Sequence, residues 1–282
     1  MKLDARETRE IEEANASGKQ PIVFVHGLWL LASSWDRWRA HVSELGYTTI
    51  APGWPDDPAT VEEARAHPEV FANKSLAVIS DHYAGAIAQL KKKPALIGHS
   101  FGGTLVQMLA GKGLAAATVS IDPAPFRGVL PLPFSSLKSA SPVLANPANV
   151  KRAVSLTFEQ FNYGWTNTLG EAEAKKLYEE FHVPGAGKPL FQAASSNFNP
   201  WSEDKVDTKN PNRGPLLFVS GDSDHTVPWT IVHAEYERQK RNPNPTEIVA
   251  MENRGHSLVI DHGWKEVAQV AIEFVQEYAP SR

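Results

Sequence analysis

The chain reads as an α/β protein with a mostly parallel, doubly wound sheet of about six to eight strands and an inserted helical cap. Two observations predict this. Short apolar runs rich in β-branched residues alternate with segments whose apolar residues recur at helical spacing, the pattern of strands buried on both faces by crossover helices. The alternation lapses over residues 124–213, where prolines and aromatics crowd without a strong strand, and then resumes. A length of 282 residues suits one such unit with an insertion.

Residues 1–20 show no apolar periodicity and read as a polar N-terminal arm or a short helix. PIVFVHG at 21–27 is a continuous apolar run stopped by glycine, a strand with no polar face. YTTIAPG at 47–53 is a second, after a helical stretch containing Trp35, Trp38 and Leu45. A polar, proline-rich loop continues to about residue 70. Leu76, Ile79, Tyr83, Ile87 and Leu90 then mark a helix over 75–92 that ends in lysines, where cations suit the helix dipole. A strand at 94–98, a helix at 101–111 and a strand at 117–123 follow. Within the insertion, EAEAKKLYEEF at 171–181 is helical. The core resumes with a strand at 215–221, a helix at 229–240, a strand at 246–252 and a helix at 264–279. The organisation is therefore an arm at 1–20, a core at 21–123 and 214–282, and an aromatic-rich cap at 124–213.

Composition excludes several classes. Hydrophobic residues are 42% and charged residues 21% of the chain, so it is not disordered. A net charge of −4 provides no basic footprint for nucleic acid, and no apolar run reaches the ~20 residues of a membrane span. With no cysteine there is no disulfide, thiol nucleophile or thiolate metal site. The charged N-terminal residues lack the apolar stretch of a signal peptide, so a cytoplasmic location is expected. Neither clustered metal ligands nor a dinucleotide-type glycine fingerprint follows any strand, so no cofactor and no metal is expected. The implied partner is a small-molecule substrate; the oligomeric state is left open.

Chemistry concentrates in three loops. GHSFG at 98–102 places Ser100 between a strand and a helix, with Gly98 and Gly102 free of side chains at the sharp turn and Gly103 allowing close packing on the sheet. A serine hydroxyl needs a base, and the base needs an orienting acid. Of the ten histidines, His256 stands in a loop after a core strand and just after a glycine, which makes it the candidate base. His26 and His99 read as packing residues at strand ends, and His67, His82 and His233 as solvated. GDSDHTVP places Asp224 three residues past a strand end, the preferred acid; Asp122, ending the preceding core strand, is the alternative, and Asp261 is more distant. Asp222 reads as a turn residue bonded to its own loop. The backbone N–H groups of Leu28 and Phe101 are positioned to hold an oxyanion, the second at a helix N-terminus.

With Ser, Asp and His in that order, and HGLW, GHSFGG and GDSDHTVP…GHS in register, the sequence resembles the α/β-hydrolase superfamily. It is similar to the single-domain esterases, lipases, perhydrolases and non-haem haloperoxidases, from about Pro21 to the C-terminus. Two departures stand out. No antiparallel hairpin is visible before Pro21, so the sheet has six strands rather than eight, and the loop after APGW lacks the usual glycine-rich turn. Aspartate at position 100 would imply epoxide hydrolase or dehalogenase chemistry; serine argues against both. The resemblance implies a serine hydrolase that cleaves a carboxylic ester or lactone through an acyl-enzyme on Ser100. The alternative is a cofactor-free lyase, a C–C hydrolase or a non-hydrolytic ligand-binding protein on the same fold. The aromatics of the cap favour a hydrophobic or aromatic substrate, with Trp29, Phe126, Phe158, Phe161 and Trp165 as expected pocket residues.

Overall fold

Each apolar run becomes a strand of one parallel sheet. The computed structural model describes residues 3–281. In chain order the elements are α1 (Ala5–Ser17), β1 (Pro21–Val25), α2 (Asp36–Glu44), β2 (Thr48–Ile50), α3 (Val61–Ala66), α4 (Leu76–Ile87), β3 (Ala95–His99), α5 (Phe101–Gly111) and β4 (Ala117–Ile121). The segment that follows contains α6 (Phe134–Leu144), β5 (Ala153–Val154), α7 (Phe158–Gly164), α8 (Glu171–Phe181), β6 (Gly185–Ala186) and α9 (Gly187–Ser195). The chain closes with β7 (Leu216–Gly221), α10 (Trp229–Gln239), β8 (Thr246–Met251) and α11 (Trp264–Tyr278).

The sheet has six strands in the order β2-β1-β3-β4-β7-β8, and every neighbouring pair is parallel. β1, β3, β4 and β7 are buried along their whole length, whereas the edge strands β2 and β8 are only partly covered. That difference explains why the central runs are continuously apolar and β8 is not. Helices α2 and α11 pack together on one face. On the other, α4 packs on α5, and Gln107 of α5 bonds to Glu235 and Gln239 of α10. Trp35 and Trp38 are core residues that pack edge to face beside Phe24 of β1.

The strand order reverses around β1, because β2 lies on one side of it and β3 on the other. A crevice opens at such a switch point beyond the carboxyl ends of the strands, where open α/β sheets bind ligands. The turns that leave β1 and β3 here carry Gly27 and Ser100.

The N-terminal segment is more than a polar arm. Residues 5–17 form α1, started by a capping box between Asp4 and Glu7. The helix lies beside β2, and buried Ile11 and Ala14 join the main core. Its acidic face binds backbone: Glu10 accepts from Ala51 N at 3.0 Å, and Glu7 accepts from Gly53 N at 3.2 Å and from His82 Nε2 at 2.9 Å. His82 is therefore buried against α1, not solvated as its helix had suggested. α1 covers an edge strand that would otherwise present open hydrogen-bonding groups.

Between β4 and β7 the chain leaves the sheet. α6 packs on α7 and α9, α7 packs on α8, and β5 pairs antiparallel with β6. This segment is tied to the loops at the carboxyl end of the sheet. Trp29 O accepts from Val183 N at 3.0 Å, and Trp29 Nε1 donates to Val154 O at 2.9 Å. Asn167 Nδ2 donates to Ser223 O at 2.9 Å, and Ser257 N donates to Trp165 O at 3.0 Å.

Candidate active site

Ser100 occupies the turn between β3 and α5 with φ 57° and ψ −125°. Such a conformation costs a non-glycine residue about 1–3 kcal/mol and persists only where its surroundings enforce it. Those surroundings are tight. A methyl group on Gly98 would lie 2.2 Å from the Gly102 carbonyl oxygen, and one on Gly102 would lie 2.1 Å from the Val25 carbonyl oxygen. The glycines let β3 and α5 press together and push the turn outward. Ser100 N donates to Ile121 O at 3.0 Å, and Ser100 O accepts from Ala124 N at 3.1 Å, which fixes the backbone and leaves the side chain to other uses.

The other predicted groups converge on this turn. His256 Nδ1 lies 2.6 Å from Asp224 Oδ2, and both side chains are fully buried. A carboxylate accepts, so Nδ1 carries the hydrogen and Nε2 is left as the basic nitrogen. Nε2 has no hydrogen-bond partner among the described residues. Asp224 Oδ1 accepts from Thr226 N at 2.6 Å and from Val227 N at 2.8 Å, which locks the carboxylate towards the imidazole. Asp122 does not bond His256; its Oδ1 accepts from Gly221 N at 2.9 Å. Asp261 is bound to Arg254 and Ser257, and Asp222 to Ser223 and Asn253 of the adjoining loops. A side chain on Gly27 would meet Ser100 Cβ at 2.8 Å and Phe101 N at 3.3 Å, so the turn before Leu28 abuts the start of α5.

Gly255, just before His256, lies against the inserted segment. A methyl group there would lie 2.8 Å from Asn167 Oδ1 and 3.1 Å from Trp165 O. The glycine makes room for the inserted segment to reach His256.

Among the expected aromatics, Trp165 is brought to the site. Its ring meets His256 edge to face at 4.6 Å and His99 at 5.5 Å, with Phe161 stacked behind it at 5.4 Å. Trp29 instead clasps the β5–β6 pair, its ring against Gly185. Phe126 is not a pocket residue: it packs with Phe218, Val227, Ile231 and Val232 in a separate cluster under α10. Phe158 turns away to Tyr178 and Lys175. In both cases local packing wins because a neighbouring element supplies the partners: β7 and α10 for Phe126, and α8 for Phe158.

His26 is a packing residue, stacked on Trp54 and bonded to Gly27 O. His99, read the same way, also borders the site, 4.6 Å from the His256 ring. Burial, then the nearby His256, holds its pKa well below the usual imidazole range, so it stays neutral. His99, Asp122 and His256 each offer a ligand atom within 4.8 Å of the others, the one metal-like grouping among the described residues.

A parallel sheet bearing a strained serine turn at its switch point, faced by a buried Asp–His pair, defines the α/β-hydrolase class. The chain belongs to it: residues 22–270 match the alpha/beta hydrolase family. No curated protein matches in sequence. Among solved structures it is similar to an extracellular α/β-hydrolase from a Paenibacillus species, with TM-score 0.64 and 19% identity over 90% of this chain and 98% of that one. A monoacylglycerol lipase from Paleococcus ferrophilus matches with TM-score 0.64 and 19% identity, over 92% of this chain and 95% of that one. An Arabidopsis methylesterase matches with TM-score 0.64 and 14% identity, over 92% and 99%. No described helix is long and apolar enough to cross a membrane.

Proposed function

We propose that the protein is a serine hydrolase that cleaves a carboxylic ester or lactone of a hydrophobic or aromatic small molecule. The observation that carries this reading is the buried 2.6 Å pair between His256 Nδ1 and Asp224, its imidazole 4.6 Å from the ring of His99, the residue before a serine held at φ 57°. Ser100 Oγ attacks the acyl carbon as His256 Nε2 takes its proton. Asp224 holds Nδ1–H and balances the imidazolium. The N–H groups of Leu28 and Phe101 receive the oxyanion, each worth about 2.7–4 kcal/mol in the transition state. His256 then protonates the leaving alcohol, and water deprotonated by His256 releases the acid from Ser100.

In this reading residues 124–213 act as a cap, and Trp165 is the wall that an acyl or alcohol group meets first. Family membership and similarity to proteins named a lipase and a methylesterase support the ester. The test is hydrolysis of a panel of aryl and alkyl esters and lactones by the wild type and Ser100→Ala. The proposal predicts turnover of apolar esters that Ser100→Ala abolishes. Undiminished turnover in Ser100→Ala contradicts it. Reaction with a fluorophosphonate but with no ester or lactone on the panel favours the alternative of a lyase, C–C hydrolase or binding protein.

A further inference from the structure

Asp122 and Asp224 follow the ends of β4 and β7, which lie side by side, and both carboxyl groups reach the same imidazole: an Asp122 oxygen lies within 4.8 Å of a His256 ring nitrogen, and Asp224 Oδ2 lies 2.6 Å from His256 Nδ1. Their surroundings differ sharply. Asp224 accepts from Thr226 N, Val227 N and His256 Nδ1. Asp122 accepts from Gly221 N through Oδ1, and its buried Oδ2 meets no donor among the described residues. Two neighbouring carboxyl groups shielded from water do not both ionise. The group with fewer donors takes the proton, and an O–H on Asp122 Oδ2 then finds its acceptor in Asp224.

Among the described residues no lysine or arginine side chain pairs with Asp122 or Asp224. The ionisable groups around Asp122 are Asp224 after β7, His256 after β8 and His99 at the end of β3, and His99 is neutral. Arg254, in the loop before His256, is bound to Asp261. Burial, followed by the charge of Asp224, raises the Asp122 acid well above the usual carboxylate range. The backbone adds an independent sign of constraint: Asp122 has φ 38° directly before Pro123, a strained position held by Asp122 N donating to Val219 O at 2.9 Å.

We propose that Asp122 is a positioning residue that works as a neutral carboxylic acid, donating its Oδ2 proton to Asp224 and leaving a single negative charge on the pair to face His256. The proton remains between the two aspartates throughout turnover, and His256 exchanges protons only with Ser100, the leaving group and water. The catalytic consequence rests on the serine-hydrolase reading; the protonation of Asp122 does not.

The two parts are tested separately. Infrared difference spectra between wild type and Asp122→Asn at pH 7 isolate the carbonyl stretch of one neutral carboxylic acid, because other buried acids such as Glu235 cancel. The band is expected in the wild type and absent from the variant. Asp122→Asn keeps a neutral donor and an acceptor, so with p-nitrophenyl butyrate it retains kcat/KM within about threefold and an unmoved acid limb in its pH profile. Asp122→Ala loses a hydrogen bond to a charged group, which lowers kcat about ten- to a hundredfold and moves the acid limb upward. No difference band, with an acid limb that falls by about one unit in Asp122→Asn, means that Asp122 is charged and overturns the proposal. If Asp122→Asn does not fold, Asp122→Ser also lacks the acid and serves for the spectrum. Failure of the Ser100→Ala test would leave the infrared result standing, whereas a missing band would sink this inference alone.

Discussion

The sheet and the segment inserted between β4 and β7 contribute differently to the same site. On the proposed reading the sheet supplies the triad, Ser100 after β3, Asp224 after β7 and His256 after β8, and the positioning residue Asp122 after β4. Each lies at most five residues beyond a strand end, held by backbone hydrogen bonds and by glycines that bring backbones into contact. The insertion supplies Trp165, laid edge to face on His256 and carried by α7. In the proposed mechanism the strand ends set reactivity, and the helical segment pinned to them sets access. That division predicts that the two functions are separable by mutation, although they meet at one imidazole.

The sharpest way to break that division is to remove the nucleophile. Ser100→Ala should lower ester turnover by about 10⁵- to 10⁶-fold while leaving the melting temperature close to that of the wild type, since the hydroxyl makes no structural hydrogen bond. Steady-state kinetics and a thermal melt read both halves. Trp165→Ala should behave in the opposite sense. Truncating a fully buried tryptophan costs about 3–5 kcal/mol of stability, yet reaction of Ser100 with a fluorophosphonate should persist and bulkier esters should gain relative to small ones. If Trp165→Ala silenced the serine as completely as Ser100→Ala, the division would fail.

Two smaller effects compare the regions through pH. In the insertion, His182 is buried and accepts from Leu156 N, and burial lowers its acid from 6.5 to about 4. Between those values the unfolded chain binds a proton that the folded chain does not. Stability from this group is thus complete above pH 6.5 and is lost as pH falls towards 4, by roughly 3 kcal/mol in total. Urea melts across that window should show the slope in the wild type and a shallower one in His182→Gln. In the sheet region the sign reverses. Burial raises the Glu235 acid well above 4.5, against a hydrogen bond from Gln107 that favours the carboxylate. The folded chain holds a proton that the unfolded chain releases, so this contribution is full below pH 4.5 and is lost as pH rises. Glu235→Gln should remove that loss and leave the variant more stable at pH 8 by about 1 kcal/mol.

Much of this was legible before the structure. The runs at 21–27, 94–98 and 117–123 are strands because continuous burial demands continuous apolarity, and the helix read at 101–111 has those bounds. The Ser100, Asp224 and His256 motifs could be aligned because each lies next to a strand end, where sequence distance and spatial position are tightly linked. A short helix is one of the two readings of residues 1–20; its docking escaped because Glu7 and Glu10 bind buried backbone and His82, contacts that leave no trace in hydropathy. Within the insertion, aromatic content indicated apolar surface but not direction: Phe126 and Phe158 serve local packing, and only the path of α7 brings Trp165 to His256. The proximity of Asp122 and Asp224 was hidden for the same reason, because it depends on which strands lie side by side.

The most direct test of the central claim is peptide mapping of the protein after reaction with a fluorophosphonate at neutral pH. The account predicts one adduct per chain, on Ser100, lost in Ser100→Ala and strongly slowed in His256→Ala. No adduct, or an adduct on another residue that persists in Ser100→Ala, would contradict it.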